Sequence, residues 1–167
     1  MDLVPNDRQA EMSTPFICVV AGGNHVMNVV DAADTDGAFD VIEVLAQPGG
    51  GPPPHCHAFA EWFHVIEGEL TFTGARDGQI VPVATAGPGE VVMIPPGAWH
   101  GTRNDGITPV RFSVIGRPGV MTSYFRQAGV PMASMTAAPD REPPGPAELA
   151  RIAEAHEIVF WPQASSA

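Results

Sequence analysis

The sequence predicts an all-β fold, a sandwich or small barrel, with a short helical tail. Three observations carry this. Apolar runs of four to nine residues, rich in β-branched side chains, recur at close spacing from residue 16 to residue 115. Each is bounded by Gly, Pro, Asn or Asp, the residues that turn a chain. Glycine and proline each occur 18 times, well above ordinary usage, and are scattered between the runs. The 167 residues, 44% of them hydrophobic, suffice for one globular domain with its own core.

Residues 1–14 read as a flexible N-terminal arm, 15–120 as the β-barrel and 121–167 as a helical and loop tail that packs on the barrel. Phe16–Val20 and His25–Val30 are strands around the turn Gly22-Gly23-Asn24, and an acidic loop, Asp31–Gly37, follows. Phe39–Gln47 is a strand ended by Pro48 and three glycines. Pro52-Pro53-Pro54 stiffens the chain before Ala58–Ile66, the next strand. Glu69–Thr73 and Ile80–Thr85 form a hairpin around Gly74–Gly78. Glu90–Ile94, His100–Arg103 and Val110–Ile115 complete the strands. In the tail, Met121–Gln127 is a short helix, and 131–146 is a proline-rich loop. Pro146 then opens a helix to about Glu157, with Leu149, Ile152, Ala153 and His156 on one face, and Ile158–Trp161 ends extended.

Composition removes several functions. The formal charge is −11, and all eight basic residues are arginine, so the surface repels phosphate backbones and nucleic acid is not expected as a partner. No apolar stretch is long enough to span a membrane. The polar, acidic start lacks a signal-peptide layout, which points to the cytoplasm. Two cysteines give no disulfide framework there; Cys56 faces away from its histidine neighbours on a regular strand, and Cys18 lies in an apolar run. Neither a phosphate-binding glycine loop nor a nucleophile elbow is present.

The chemistry lies in two segments. Residues 49–68 read GGGPPPHCHAFAEWFHVIEG and residues 89–104 read GEVVMIPPGAWHGTRN. On a strand, His55, His57 and Glu61 share one face, and the turn at Gly97 can bring His100 to them. Three imidazoles and a carboxylate suit one divalent transition ion, Fe, Mn, Ni, Co or Zn, rather than calcium or magnesium. The same alternation places Phe59, Phe63 and Val65 on the inner face, with Thr102, Asn104, Phe112 and Val114 as further lining of a substrate pocket. Trp62 and Trp99 take the opposite parity, which suits packing between strands or a subunit contact. His25, His64 and His156 read as surface or satisfied core histidines. No arginine falls on the ligand face, which disfavours an anion such as oxalate, although Arg103 and Arg111 can reach the mouth.

These segments resemble the cupin superfamily. Its first motif, G-x5-H-x-H-x(3,4)-E-x6-G, is filled by Gly49, His55, His57, Glu61 and Gly68; its second, G-x5-P-x-G-x2-H-x3-N, by Gly89, Pro95, Gly97, His100 and Asn104. The motifs cover about a fifth of the chain, and the flanking strand pattern extends the likeness. The resemblance implies a double-stranded β-helix, the jelly-roll barrel of single-domain cupins. The helical tail is similar to that of small bacterial cupins related to quercetin dioxygenases. It implies a metal-dependent dioxygenase that uses O2 on a small enol, phenol or flavonol-type substrate, works as a homodimer and employs Glu61 as ligand, as catalytic base, or both. Two alternatives stay open at this point: another metal-cupin enzyme (lyase, isomerase, decarboxylase or polyketide-tailoring catalyst), and a non-catalytic small-molecule or metal-binding protein.

Overall fold

A computed structural model describes residues 13–162. Twelve strands and two helices follow one another among these residues: β1 (Ile17–Val20), β2 (Asn24–Val30), β3 (Asp40–Ala46), β4 (His55–Cys56), β5 (Ala60–Glu67), β6 (Leu70–Arg76), β7 (Gln79–Ala86), β8 (Val91–Ile94), β9 (His100–Arg103), β10 (Val110–Arg117), α1 (Met121–Ala128), β11 (Val130–Pro131), α2 (Pro146–Ala155) and β12 (Val159–Phe160). A seven-stranded sheet runs β11-β1-β2-β3-β10-β5-β8 and a five-stranded sheet runs β12-β4-β9-β6-β7. Consecutive neighbours in the two sheets pair antiparallel, as in β3 with β10 and β6 with β9. The spacing of short apolar runs predicts a sandwich or barrel of this kind, and the jelly roll is the form that the resemblance implies.

Strict alternation builds the core. In β3, Ile42, Val44 and Ala46 point inward; in β10, Val110, Phe112 and Val114 do the same from the paired strand. Leu70 and Phe72 close the core from the five-stranded sheet. Phe63 meets Phe72 edge-on at 5.4 Å and lies tilted beside Phe112 at 5.9 Å, arrangements that favour aromatic rings beyond their area alone. One inward row departs from this apolar rule. Glu61, Gly116 and Asp40 lie side by side across β5, β10 and β3, so two carboxylates enter the barrel at one level.

Two expectations need amendment. The predicted Gly74–Gly78 loop is shorter: β6 runs to Arg76, and Asp77-Gly78 alone makes the turn, with φ of 51° and 72°. Two successive left-handed residues match the right-handed twist of the flanking strands, which Asp-Gly allows. The C-terminal helix stops at Ala155 rather than Glu157, because Glu157 adopts a left-handed φ of 56° and Ile158 N–H returns to Ala153 O at 2.9 Å. Of the proposed N-terminal arm, residues 1–12 lie outside the described residues. Ser13 donates through its backbone N–H and its hydroxyl to Asp34 Oδ1, at 2.9 and 3.0 Å.

Candidate metal centre

Three local devices bring the four motif side chains together. The triple proline leads into β4, which is only two residues long and pairs His55 directly with His100 of β9. His57 follows β4 at once, and Glu61 enters on β5. Gly97, with φ of 76°, turns the second motif back and donates its N–H to His57 O at 2.7 Å. The ring centroids of His55 and His100 are 4.4 Å apart, those of His57 and His100 4.9 Å, and those of His55 and His57 5.5 Å. One ligand nitrogen from each of the three lies within 4.8 Å of the others.

The hydrogen bonds decide which nitrogen faces inward. His55 Nδ1 is 2.9 Å from Pro53 O, His57 Nδ1 3.0 Å from Phe59 O, and His100 Nδ1 2.9 Å from Ala98 O. A carbonyl only accepts, so each Nδ1 carries a proton, and Nε2 is left to donate to a carboxylate when the ring is protonated or to offer a lone pair to a metal when it is neutral. Glu61 Oε2, an acceptor when ionised, lies 3.1 Å from His57 Nε2 and 3.0 Å from His100 Nε2. Burial pushes the Glu61 carboxyl up, but the bonds to His100 and His57 outweigh it and hold its pKa down at about 2. Burial, then repulsion from His100, lowers the His55 pKa to about 4. A ring that stays neutral and a carboxylate that stays ionised converge with two more imidazoles. Such a donor set can hold a positive charge at its centre, and a divalent transition ion fits it.

Beside these side chains lies a cavity of about 100 Å³ whose lining is mostly apolar. Phe59, Phe63, Thr102, Phe112 and Val114 line it, together with the four motif side chains. Away from the motif side chains, its polar lining residues are Asn24, Thr102 and Tyr124.

The model of the Cupin domain family matches residues 42–116, the segment that holds all three histidines and Glu61. The barrel has the cupin jelly-roll fold. Several solved structures share its fold. The polyketide cyclase RemF from Streptomyces resistomycificus is 24% identical over 70% of this chain and 79% of its own, with a TM-score of 0.50. An RmlC-like cupin from Shewanella frigidimarina is 19% identical over 63% of this chain and 85% of its own, at a TM-score of 0.50. Bacillus subtilis oxalate decarboxylase is 19% identical over 65% of this chain, at a TM-score of 0.54, and this chain spans 28% of it. No curated protein sequence matches the chain.

Two residues expected in the pocket of this cupin barrel do other work. Val65 is fully buried in the core and does not line the cavity. Asn104 is also fully buried, but its amide turns away: Nδ2 donates to Ala46 O and Thr108 O at 2.9 and 2.8 Å, and Oδ1 accepts from Gly106 N at 2.9 Å. Its backbone ties the two motifs, accepting from Gly49 N at 2.9 Å and donating to Gly50 O at 3.0 Å. Gly51 completes this crossing, since a Cβ there would lie 1.9 Å from Thr102 O. Arg103 and Arg111 do not reach the mouth; they pair with Asp105 and Glu43 on the surface.

The remaining singled-out residues sit outside the centre. His25 Nδ1 meets Met135 O at 2.7 Å, His156 Nδ1 meets Ile152 O at 2.9 Å, and His64 is exposed. Cys18 is buried, which pushes its thiol up to about 12, and Cys56 is half-buried. Trp99 packs edge-on against Trp161 at 4.8 Å. Sequence reasoning missed the tail's share of the cavity, which Met121, Tyr124, Phe125, Leu149, Ile158 and Phe160 help to line. The helical stripe at Leu149 and the apolar finish at 158–161 were the available signals. Neither says which part of the barrel they cover.

Proposed function

We propose that this protein is a metal-dependent cupin enzyme, an oxygenase acting on a small enol or phenol. The observation that supports it is the donor set: three imidazoles whose Nδ1 atoms are tied to carbonyls converge with one carboxylate beside a mostly apolar cavity. His55, His57, His100 and Glu61 would hold the ion. When bound, a divalent ion orients a substrate oxygen and stabilises negative charge on it.

The chain's own residues supply the rest. Glu61 is ionised at neutral pH, and its position next to the imidazoles lets it take a proton from a substrate hydroxyl. Phe59, Phe63 and Phe112 offer ring faces and edges to a flat substrate. The cavity is well below the roughly 300 Å³ at which drug-sized ligand pockets begin, which favours a single-ring phenol or enol over a three-ring flavonol. No arginine lines it, which disfavours a dianion. Purified protein loaded separately with Fe, Mn, Co and Ni should consume oxygen with catechols or small enols in an oxygen electrode. Turnover of such substrates without oxygen uptake would move the protein to the lyases, isomerases, decarboxylases or cyclases of the same fold. A closed tetrahedral zinc with no turnover would make it a binding protein.

We propose further that it works as a homodimer through the outer face of the seven-stranded sheet. Val30, Val41, Ile115, Trp62 and Met93 align in one row across five strands, and Ile115 and Met93 are exposed there. Among the described residues no helix is long and apolar enough to cross a membrane.

A further inference from the structure

The strand that carries His55 is the weakest part of the centre. β4 has two residues, follows three prolines, and makes a single residue pair with β9, His55 with His100. Its other edge is covered by the C-terminal strand. Val159 pairs with Cys56 and Phe160 with His55, and Trp161 N–H donates to Pro54 O at 2.7 Å. The side chains extend this grip. The Phe160 ring stands edge-on to the His55 ring at 6.3 Å, and Trp161 packs on Trp99, the residue before His100. Two consecutive residues of the tail therefore touch β4 and the residue that leads into β9. The left-handed turn at Glu157 aims this segment out of α2 and onto β4.

We propose that β12 is a splint for the metal centre, with Phe160 and Trp161 as positioning residues that keep His55 and His100 at ligand separation. This rests on the metal-binding reading above. An imidazole bound on a two-residue strand loses little rotational freedom only if both edges of that strand are paired. With β12 detached, Pro54 O and the outer edge of β4 turn to water, and His55 can swing away from His100. Groups that orient metal ligands commonly contribute ten- to hundredfold to metal affinity. Coupling is reciprocal, so bound metal must also hold the splint down.

The test uses the full-length protein and Co(II) as the probe. Phe160→Ala, Trp161→Ala and the conservative Trp161→Phe are titrated with Co(II) in competition with a chelator, and their visible cobalt spectra are recorded. The alanine variants should bind Co(II) at least about tenfold more weakly, with altered bands, whereas Trp161→Phe stays within about threefold of wild type. Hydrogen exchange on the wild type covers the case in which an alanine variant fails to fold: the amides of residues 159–161 should exchange at least about tenfold more slowly with Co(II) bound. Wild-type binding with unchanged affinity and bands in both alanine variants overturns the splint alone, as does unchanged exchange. Wild type that binds Co(II) no better than a His57→Ala, His100→Ala double variant overturns the metal reading and the splint with it.

Discussion

Asp40 offers a test of how the barrel holds its helical wall. It begins β3, is fully buried, and reaches 82 residues along the chain to the first turn of α1. Its Oδ2 accepts from Thr122 N at 2.8 Å and from Thr122 Oγ1 at 3.2 Å, while Oδ1 lies over Gly116 with no partner. Two effects compete. The helix N-terminus and the Thr122 donors favour the carboxylate, worth at most about 2 kcal/mol in such settings. Burial of a half-satisfied carboxylate opposes it and prevails, raising the Asp40 pKa from 3.8 to about 6. A raised carboxyl pKa means the folded protein binds a proton that the unfolded chain has released. The resulting stability is full below about pH 4 and is lost as pH rises through 6. With relaxation and water access, the change is on the order of 2 kcal/mol. Asp40→Asn removes the titration and keeps an oxygen for Thr122. Urea unfolding of both proteins at pH 4, 5, 6 and 7 should show wild type losing stability relative to Asp40→Asn between pH 4 and 7. Parallel profiles would refute the reasoning, and a shift favouring wild type with rising pH would show that the helix terminus dominates. The outcome matters for the site, because α1 carries Met121, Tyr124 and Phe125 to the cavity.

Other predictions concern the centre and the surface. Glu61→Gln should keep its metal by elemental analysis while its turnover of an identified substrate falls about a hundredfold; full metal with a near-normal rate would place the base elsewhere. Asn104→Ala should leave metal content unchanged yet cost about 1–3 kcal/mol, since it leaves Ala46 O at the end of β3 and the 106–108 loop without their amide partner, and thermal unfolding should drop by roughly 3–10 °C. Ile115→Asp with Met93→Asp should convert a dimer to a 17.6 kDa monomer in light scattering without lowering the melting temperature much; a wild-type monomer would remove the proposed interface.

The barrel was legible because its signals are local. Alternation along β3, β5 and β10 and the turn residues between short runs need no distant partner to be read. The convergence of His55, His57, Glu61 and His100 was legible because their spacing encodes face and turn together: His55 and His57 straddle Cys56, and Gly97 precedes His100 by a fixed step. Asn104 escaped because parity gives only a face. Its amide is drawn aside by Ala46 O and Thr108 O, and the second of these belongs to a loop whose path parity does not specify. The tail's role was hidden for a related reason. Leu149 and Ile158 announce burial, but the partner strand of Val159–Phe160 lies about a hundred residues earlier. Asp40 likewise reads as a polar residue at a strand end, and only the arrival of α1 makes it a helix cap.

The central claim is that His55, His57, Glu61 and His100 hold one transition metal ion. Elemental analysis of protein purified without added metal, and of protein reloaded after chelation, tests it most directly against a folded His57→Ala, His100→Ala double variant. The account predicts close to one ion per chain in the wild type and almost none in the variant. Equal metal content in the two would contradict it.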